Sequence, residues 1–193
     1  MLDHLEKHHI ILASQSPRRR YLLRQLGIEF TEMSAEVDET FPPGMEPDAV
    51  ARYLAEKKAA HFENLLQDDR TIVITADTLV VVNDRIIGKP GDYDDAVKML
   101  GELSGRMHRV VTGVTIRSLL KSITFTDWTD VYFKDLTPEE ISHYLHHYQP
   151  YDKAGSYGIQ EWIGYIGITR IEGSYFNVMG MPVQRVYEEL SKF

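Results

Sequence analysis

A carboxylate stands where the hydrophobic pattern asks for a core side chain. Residues 72–74 and 79–82 are β-branched or aliphatic runs of strand length, and Asp77 lies between them. A charge stranded in low dielectric is costly, so Asp77 must be paired, metal-bound or protonated. Asn83-Asp84 is a turn pair, which predicts a hairpin between 79–82 and 85–87. Gly88-Lys89-Pro90 then carries a cation on a stiff loop just beyond it. An acid and a cation on one apolar scaffold mark a candidate site.

The 193 residues are expected to form a single domain over 1–193, with a core of ordinary size. No apolar run approaches the roughly 20 residues a spanning helix needs, so no membrane partner is expected. The first residues include acidic side chains and no signal-peptide core, and the chain has no cysteine, which together predict a cytoplasmic protein without disulfides or thiol chemistry. A net charge of −8 argues against a sequence-independent grip on a nucleic acid polymer. Small phosphorylated ligands remain compatible with it, because a few local cations suffice for them.

Along the chain, an apolar run at 9–12 leads into Ser14-Gln15-Ser16-Pro17-Arg18-Arg19. Ser16 suits an N-cap and Pro17 the first helical position, so a strand, a serine-rich turn and a helix N-terminus are predicted. Free N–H groups, two hydroxyls and the guanidinium groups of Arg18 and Arg19 would then converge as an anion cradle. Cations there oppose the helix dipole, which favours a ligand over an idle basic turn. Residues 28–33 read as a strand. The acidic loop 34–40 reads as a solvated turn or, through its carboxylates, as an oxygen donor to a hard metal.

A long amphipathic helix is predicted over 47–66, with Val50, Tyr53, Leu54 and Ala59 inward and Lys57 and Lys58 adjacent on it. A helix over 92–103 follows, then strands at 108–116, broken at Thr112-Gly113, and at 123–133. Thr137-Pro138-Glu139-Glu140 is a capping box that opens a helix to about residue 147. His143, His146 and His147 on that helix read as a solvated cluster, since no second ligand set accompanies them. Asp152 to Gln160 is glycine-punctuated and ends in an amide able to donate and accept at a base edge. Residues 163–171 read as a strand, 173–182 as a loop, and 183–190 as the last helix. Four polar or cationic loops beside short strands suggest a cleft.

Five of these stretches, in order, resemble the motifs of Maf proteins: Ser14-Gln15-Ser16-Pro17-Arg18-Arg19, Ala76-Asp77-Thr78, Gly88-Lys89-Pro90, the run from Lys153 to Gln160, and the run from Gly173 to Pro182. The resemblance covers about residues 10–190. It implies an α/β fold like that of the ITPases: a mixed twisted sheet flanked by helices, with two lobes and a central cleft. The family hydrolyses nucleoside triphosphates to the monophosphate and pyrophosphate with a divalent cation, Mg²⁺ or Mn²⁺. It has also been described as inhibiting septum formation.

The resemblance makes Asp77 the proton acceptor and associates Arg18, Thr78 and Gln160 with substrate choice. It aligns Ser14, Arg19, Glu39, Lys58, Lys89 and Lys153 with other substrate-cleft positions. Asp77 and Glu39 are the expected metal donors, and a homodimer is the expected assembly. The chain lacks the Ser-Pro-Trp-Arg-Arg loop of the 7-methyl-GTP branch, so it resembles the dTTP/UTP branch. Rival readings are a regulatory nucleotide binder acting on cell division, a phosphatase, and a pyrophosphatase of 7-methyl-GTP or inosine triphosphate. The run Glu161-Trp162-Ile163-Gly164-Tyr165 departs from the glycine-rich family segment, and Trp162 and Tyr165 are expected to pack on the sheet.

Overall fold

The computed structural model describes residues 2–193. A mixed sheet of seven strands is flanked by helices, as expected for the α/β class. In chain order the elements are β1 (His9–Ala13), α1 (Pro17–Gln25), β2 (Thr31–Met33), α2 (Pro47–His61), β3 (Thr71–Val82), β4 (Arg85–Ile87), α3 (Tyr93–Leu103), β5 (Met107–Arg117), β6 (Ser122–Phe133), α4 (Pro138–Tyr148), α5 (Trp162–Gly167), β7 (Ile168–Glu172), α6 (Tyr175–Val178) and α7 (Val183–Leu190). The strand order is β2-β1-β3-β5-β6-β7, with β4 paired to β3. β1 runs parallel to both β2 and β3, whereas β4 is antiparallel to β3 and β7 to β6.

The chain forms two compact units. The first comprises Met1–Asp77, Thr112–Asp127 and Gly180–Phe193; the second comprises Thr78–Val111 and Trp128–Met179. In the first unit, Ile11, Ala13 and Val73 pack with Phe62 and Leu66 in one apolar cluster. In the second, His108, Phe133 and Tyr157 meet edge-to-face, and α3 packs on α4.

Local signals set most boundaries. The Ser16 hydroxyl accepts the Arg19 N–H and Pro17 opens α1. Asp92 caps α3, and Thr137 with Glu140 forms the capping box of α4. Asn83 and Asp84 both have positive φ, the pair of left-handed residues a two-residue hairpin demands.

Several expectations change. The strand read at 28–33 is only Thr31–Met33, and the loop read at 173–182 carries α6. The long helix stops at His61 and continues as a 3-10 turn at Glu63–Leu65. β5 runs unbroken through Gly113, because a Cβ there would lie 2.1 Å from the Ala51 carbonyl oxygen: the glycine admits α2 rather than ending the strand. The predicted strand at 163–171 is the helix α5 followed by β7, since its repeated glycines and bulky residues fit either period. Tyr165 therefore stands exposed on α5, and Trp162 meets the His143 ring at 4.7 Å rather than the sheet.

Candidate active site

The first unit builds its polar centre from the register between α2 and β3. Thr75 and Asp77 share one face of β3, because side chains alternate along a strand. Ala55 and Lys58 lie one turn apart on α2. The Thr75 hydroxyl donates to the Ala55 carbonyl at 2.7 Å, and the small faces of Ala51 and Ala55 let the helix come that close. One step further along both elements, the Lys58 ammonium meets the Asp77 carboxylate.

Lys58 also donates to Glu39 Oε1 at 2.7 Å. Its neighbour Lys57 holds Asp38 Oδ2 and the Thr40 carbonyl, each at 3.0 Å. The acidic loop is thus clamped residue by residue to the lysine pair, and not merely solvated. Bonds from Thr40 and Lys57 pull the Asp38 carboxyl down to about 2. Asp77 is buried, and of the three states open to it (paired, metal-bound or protonated) it is paired, with Lys58.

Arg19 is the second tie on Asp77. Its Nε donates to the Gly180 carbonyl and its Nη1 to the Ala76 carbonyl, both at 2.8 Å. Burial lowers the Arg19 pKa, and the nearby Asp77 charge opposes that shift. Several groups around the turn expected to form an anion cradle are engaged within the chain. The Ser16 N–H is taken by the Ser14 hydroxyl at 3.1 Å, the Arg19 N–H by Ser16, and Arg20 and Arg24 both pair with Glu32. Arg18 lies half-buried on the first turn of α1.

Asp77 and Glu39, both drawn to the Lys58 ammonium, are the carboxylates here that could serve a metal as oxygen donors. Among the described residues no cluster of three or more His, Cys, Asp or Glu forms a metal site. Two carboxylates fit Mg²⁺ or Mn²⁺ all the same, since such ions take one or two carboxylates and complete their shell with phosphate oxygens and water.

The second unit gathers the loops of Lys89 and Gln160. The Gly155 N–H donates to the Gly88 carbonyl at 3.0 Å, beside exposed Lys89. Lys153 pairs with Asp152 at 2.7 Å and with Glu161 at 3.2 Å. Tyr144 donates to Glu161 and accepts the Gly158 N–H at 3.0 Å. Thr78 follows Asp77 on β3, partly buried. On α4, His146 and His147 each turn Nδ1 onto a carbonyl one turn back, at 2.7 Å. Sequence reasoning singled out neither Tyr144 nor Thr75. Glu161 stood out only as a departure from a glycine-rich segment.

The mixed α/β sheet carries Asp77 on a central strand, where Lys58 of α2 joins it to Glu39 of the preceding loop. The chain belongs to the Maf family: it matches the model described as Maf-like protein over residues 9–193. It is 50% identical over 195 residues to the dTTP/UTP pyrophosphatase of Porphyromonas gingivalis, spanning 100% of this chain and 98% of that protein. It is 49% identical to the dTTP/UTP pyrophosphatase of Phocaeicola vulgatus, across the whole of both chains. The protein of that name from Flavobacterium johnsoniae is 42% identical, with 98% of this chain and 97% of that one covered. Among solved structures, the Staphylococcus aureus Ham1 protein superposes with a TM-score of 0.48 at 15% identity, covering 66% of this chain and 72% of that one. No helix among the described residues is long and apolar enough to cross a membrane.

Proposed function

We propose that this chain hydrolyses dTTP and UTP to the nucleoside monophosphate and pyrophosphate. The observation that carries the reading is buried Asp77, held by Lys58 opposite Glu39, in a chain of this family with full-length relatives bearing that name. Cleaving a phosphoanhydride asks the protein mainly to position reactants and neutralise charge.

Asp77 accepts a proton from a water as the water oxygen attacks the α-phosphorus. The bond from that phosphorus to the bridging oxygen breaks, and pyrophosphate leaves with its electron pair. Lys58 keeps the Asp77 carboxylate oriented, and Arg19 fixes the strand that bears it through the Ala76 carbonyl. Arg18 and Lys89 bind phosphate oxygens, and Ser14 shapes the turn before α1. Thr78 and Gln160 select the base, as the sequence resemblance implies. Asp77 and Glu39 would hold the divalent metal, which when bound supplies charge neutralisation on the phosphates. Cytoplasmic operation and a homodimer belong to the same reading.

The test is a product assay with Mg²⁺ on dTTP, UTP, CTP, 7-methyl-GTP and ITP, separating pyrophosphate from orthophosphate. Pyrophosphate from dTTP and UTP is expected. Orthophosphate, or turnover confined to 7-methyl-GTP or ITP, would overturn the assignment.

A further inference from the structure

Glu161 directly follows Gln160 and stands at the N-cap of α5. Both of its oxygens are held. Oε2 accepts the Tyr144 hydroxyl, and Oε1 lies 3.2 Å from Lys153 Nζ. Tyr144 is fully buried, and its oxygen takes the Gly158 N–H at 3.0 Å. Burial, reinforced by Glu161, raises the Tyr144 pKa, so the phenol stays a proton donor to the carboxylate. The carboxylate is therefore fixed relative to the backbone of the loop that presents Gln160.

That fixed charge sits beside the Gln160 amide. A Cβ built on Gly158 would lie 2.9 Å from Glu161 Oε1 and 3.0 Å from Gln160 Nε2, so carboxylate and amide converge on the bare face of one glycine. A negative charge at this place favours the amide orientation that turns NH₂ toward it and the carbonyl oxygen away. Gln160 Oε1 is buried with no hydrogen-bond partner. Leaving a buried acceptor unsatisfied is costly, so the loop carries an oxygen that calls for a donor.

The orientation matters because one amide can read two bases. Thymine and uracil present an N–H donor at N3 beside the O4 acceptor. Cytosine presents an acceptor at N3 beside an amino donor. A glutamine amide fits the first pattern in one orientation and the second when flipped by half a turn. Something outside the amide must choose.

We propose that Glu161, held by Tyr144 and Lys153, sets the orientation of the Gln160 amide and so favours thymine and uracil over cytosine. The inference rests on the reading of Gln160 as a base-contacting residue given above. It also assigns Lys153 a different duty from phosphate binding. Flanked by Asp152 at 2.7 Å and by Glu161, its ammonium sits in a trio of net negative charge and acts as the counter-ion that fixes Glu161.

The experiment measures kcat/KM for dTTP and dCTP, together with inhibition by tripolyphosphate, in wild type, Glu161→Gln, Tyr144→Phe and Lys153→Met. Glu161→Gln keeps the shape and removes the charge; Tyr144→Phe removes one tether with little change in volume. The dTTP-to-dCTP preference is expected to fall about tenfold in both, the worth of one oriented hydrogen bond. The loss should fall on KM for dTTP, and tripolyphosphate inhibition should stay within about twofold of wild type in all three variants. Equal loss on both nucleotides would reduce the network to a structural brace and overturn the inference. Markedly weaker tripolyphosphate inhibition in Lys153→Met would return Lys153 to the phosphates and overturn its assignment as counter-ion. Wild type inactive on dTTP would overturn the proposed activity and this inference together, whereas active wild type with unmoved ratios would overturn this inference alone.

Discussion

The Lys58 ammonium and the Asp77 carboxylate, 19 residues apart in sequence, form a largely buried ion pair between α2 and β3. The same ammonium holds Glu39, so one lysine bonds to two acids. This arrangement makes the centre both a catalytic candidate and a structural joint, and the two roles can be separated by substitution.

Asp77→Asn preserves shape while removing the proton acceptor. Pyrophosphate release from dTTP is expected to drop by about 10²–10⁴-fold, the usual worth of a general base. Far-ultraviolet circular dichroism should remain that of wild type. Turnover within a few-fold of normal would remove Asp77 from the catalytic role.

Lys58→Met takes from buried Asp77 and from Glu39 the ammonium they share. Removing one member of a buried pair costs about 3–5 kcal/mol, so the urea midpoint should fall clearly. Without the ammonium, the two carboxylates should also respond more strongly to a divalent ion. Millimolar Mg²⁺ is expected to raise Tm more in this variant than in wild type, by scanning calorimetry without nucleotide. An equal or smaller Mg²⁺ response would argue against Asp77 and Glu39 as joint metal donors.

His108 is buried among Phe133 and Tyr157, its Nε2 2.7 Å from the Tyr157 hydroxyl, and its Nδ1 has no hydrogen-bond partner. Burial lowers its pKa from 6.5 to about 4, against a smaller opposing pull from Asp130. The native state therefore keeps the ring neutral while the unfolded chain takes up a proton below 6.5. Stability from this group is full above pH 6.5 and declines as pH falls toward 4, a loss of about 3 kcal/mol. Urea unfolding between pH 7 and 4.5 should show that slope, and His108→Phe should flatten it.

Two glycines should respond oppositely to alanine. At Gly113 the new Cβ would strike the Ala51 backbone, with an expected cost of about 3 kcal/mol. At Gly101, exposed within α3, nothing lies within 4 Å, and alanine should add about 0.5–1 kcal/mol by restricting the unfolded chain. Chemical denaturation of both variants checks the pair. A neutral Gly113→Ala would show that α2 can shift away from the sheet without loss.

Much of the secondary structure was legible because its signals are local. Ser16 with Pro17, Asp92, and Thr137 with Glu140 each announce a helix start within a few residues, and Asn83-Asp84 announces its turn. Gly113 misled, because a glycine in a strand marks either a break or a close approach, and only the position of Ala51 decides which. The stretch 163–171 misled because glycines alternating with large apolar residues satisfy helical and extended periods alike.

The candidate site was legible in part. The chemical anomaly at Asp77 could be read directly, whereas Glu39 and Lys58 were reached through family resemblance. Tyr144 carried no signal, since a tyrosine in an amphipathic helix reads as core whether or not its hydroxyl holds a carboxylate.

The sequence by itself determined that a buried Asp77 would have to be paired, metal-bound or protonated, that α1, α3 and α4 would begin near their capping residues, and, through its motifs, that the chain belongs among nucleotide-hydrolysing α/β folds. Only the tertiary structure decided which cation pairs with Asp77 and which carboxylate stands over Gly158. Capping, turn chemistry and hydrophobic period act over a few residues, so they are written in the order of the chain. The meeting of Lys58 with Asp77 depends instead on the register set by the Thr75 hydroxyl on the Ala55 carbonyl, a contact across 20 residues that no local pattern encodes.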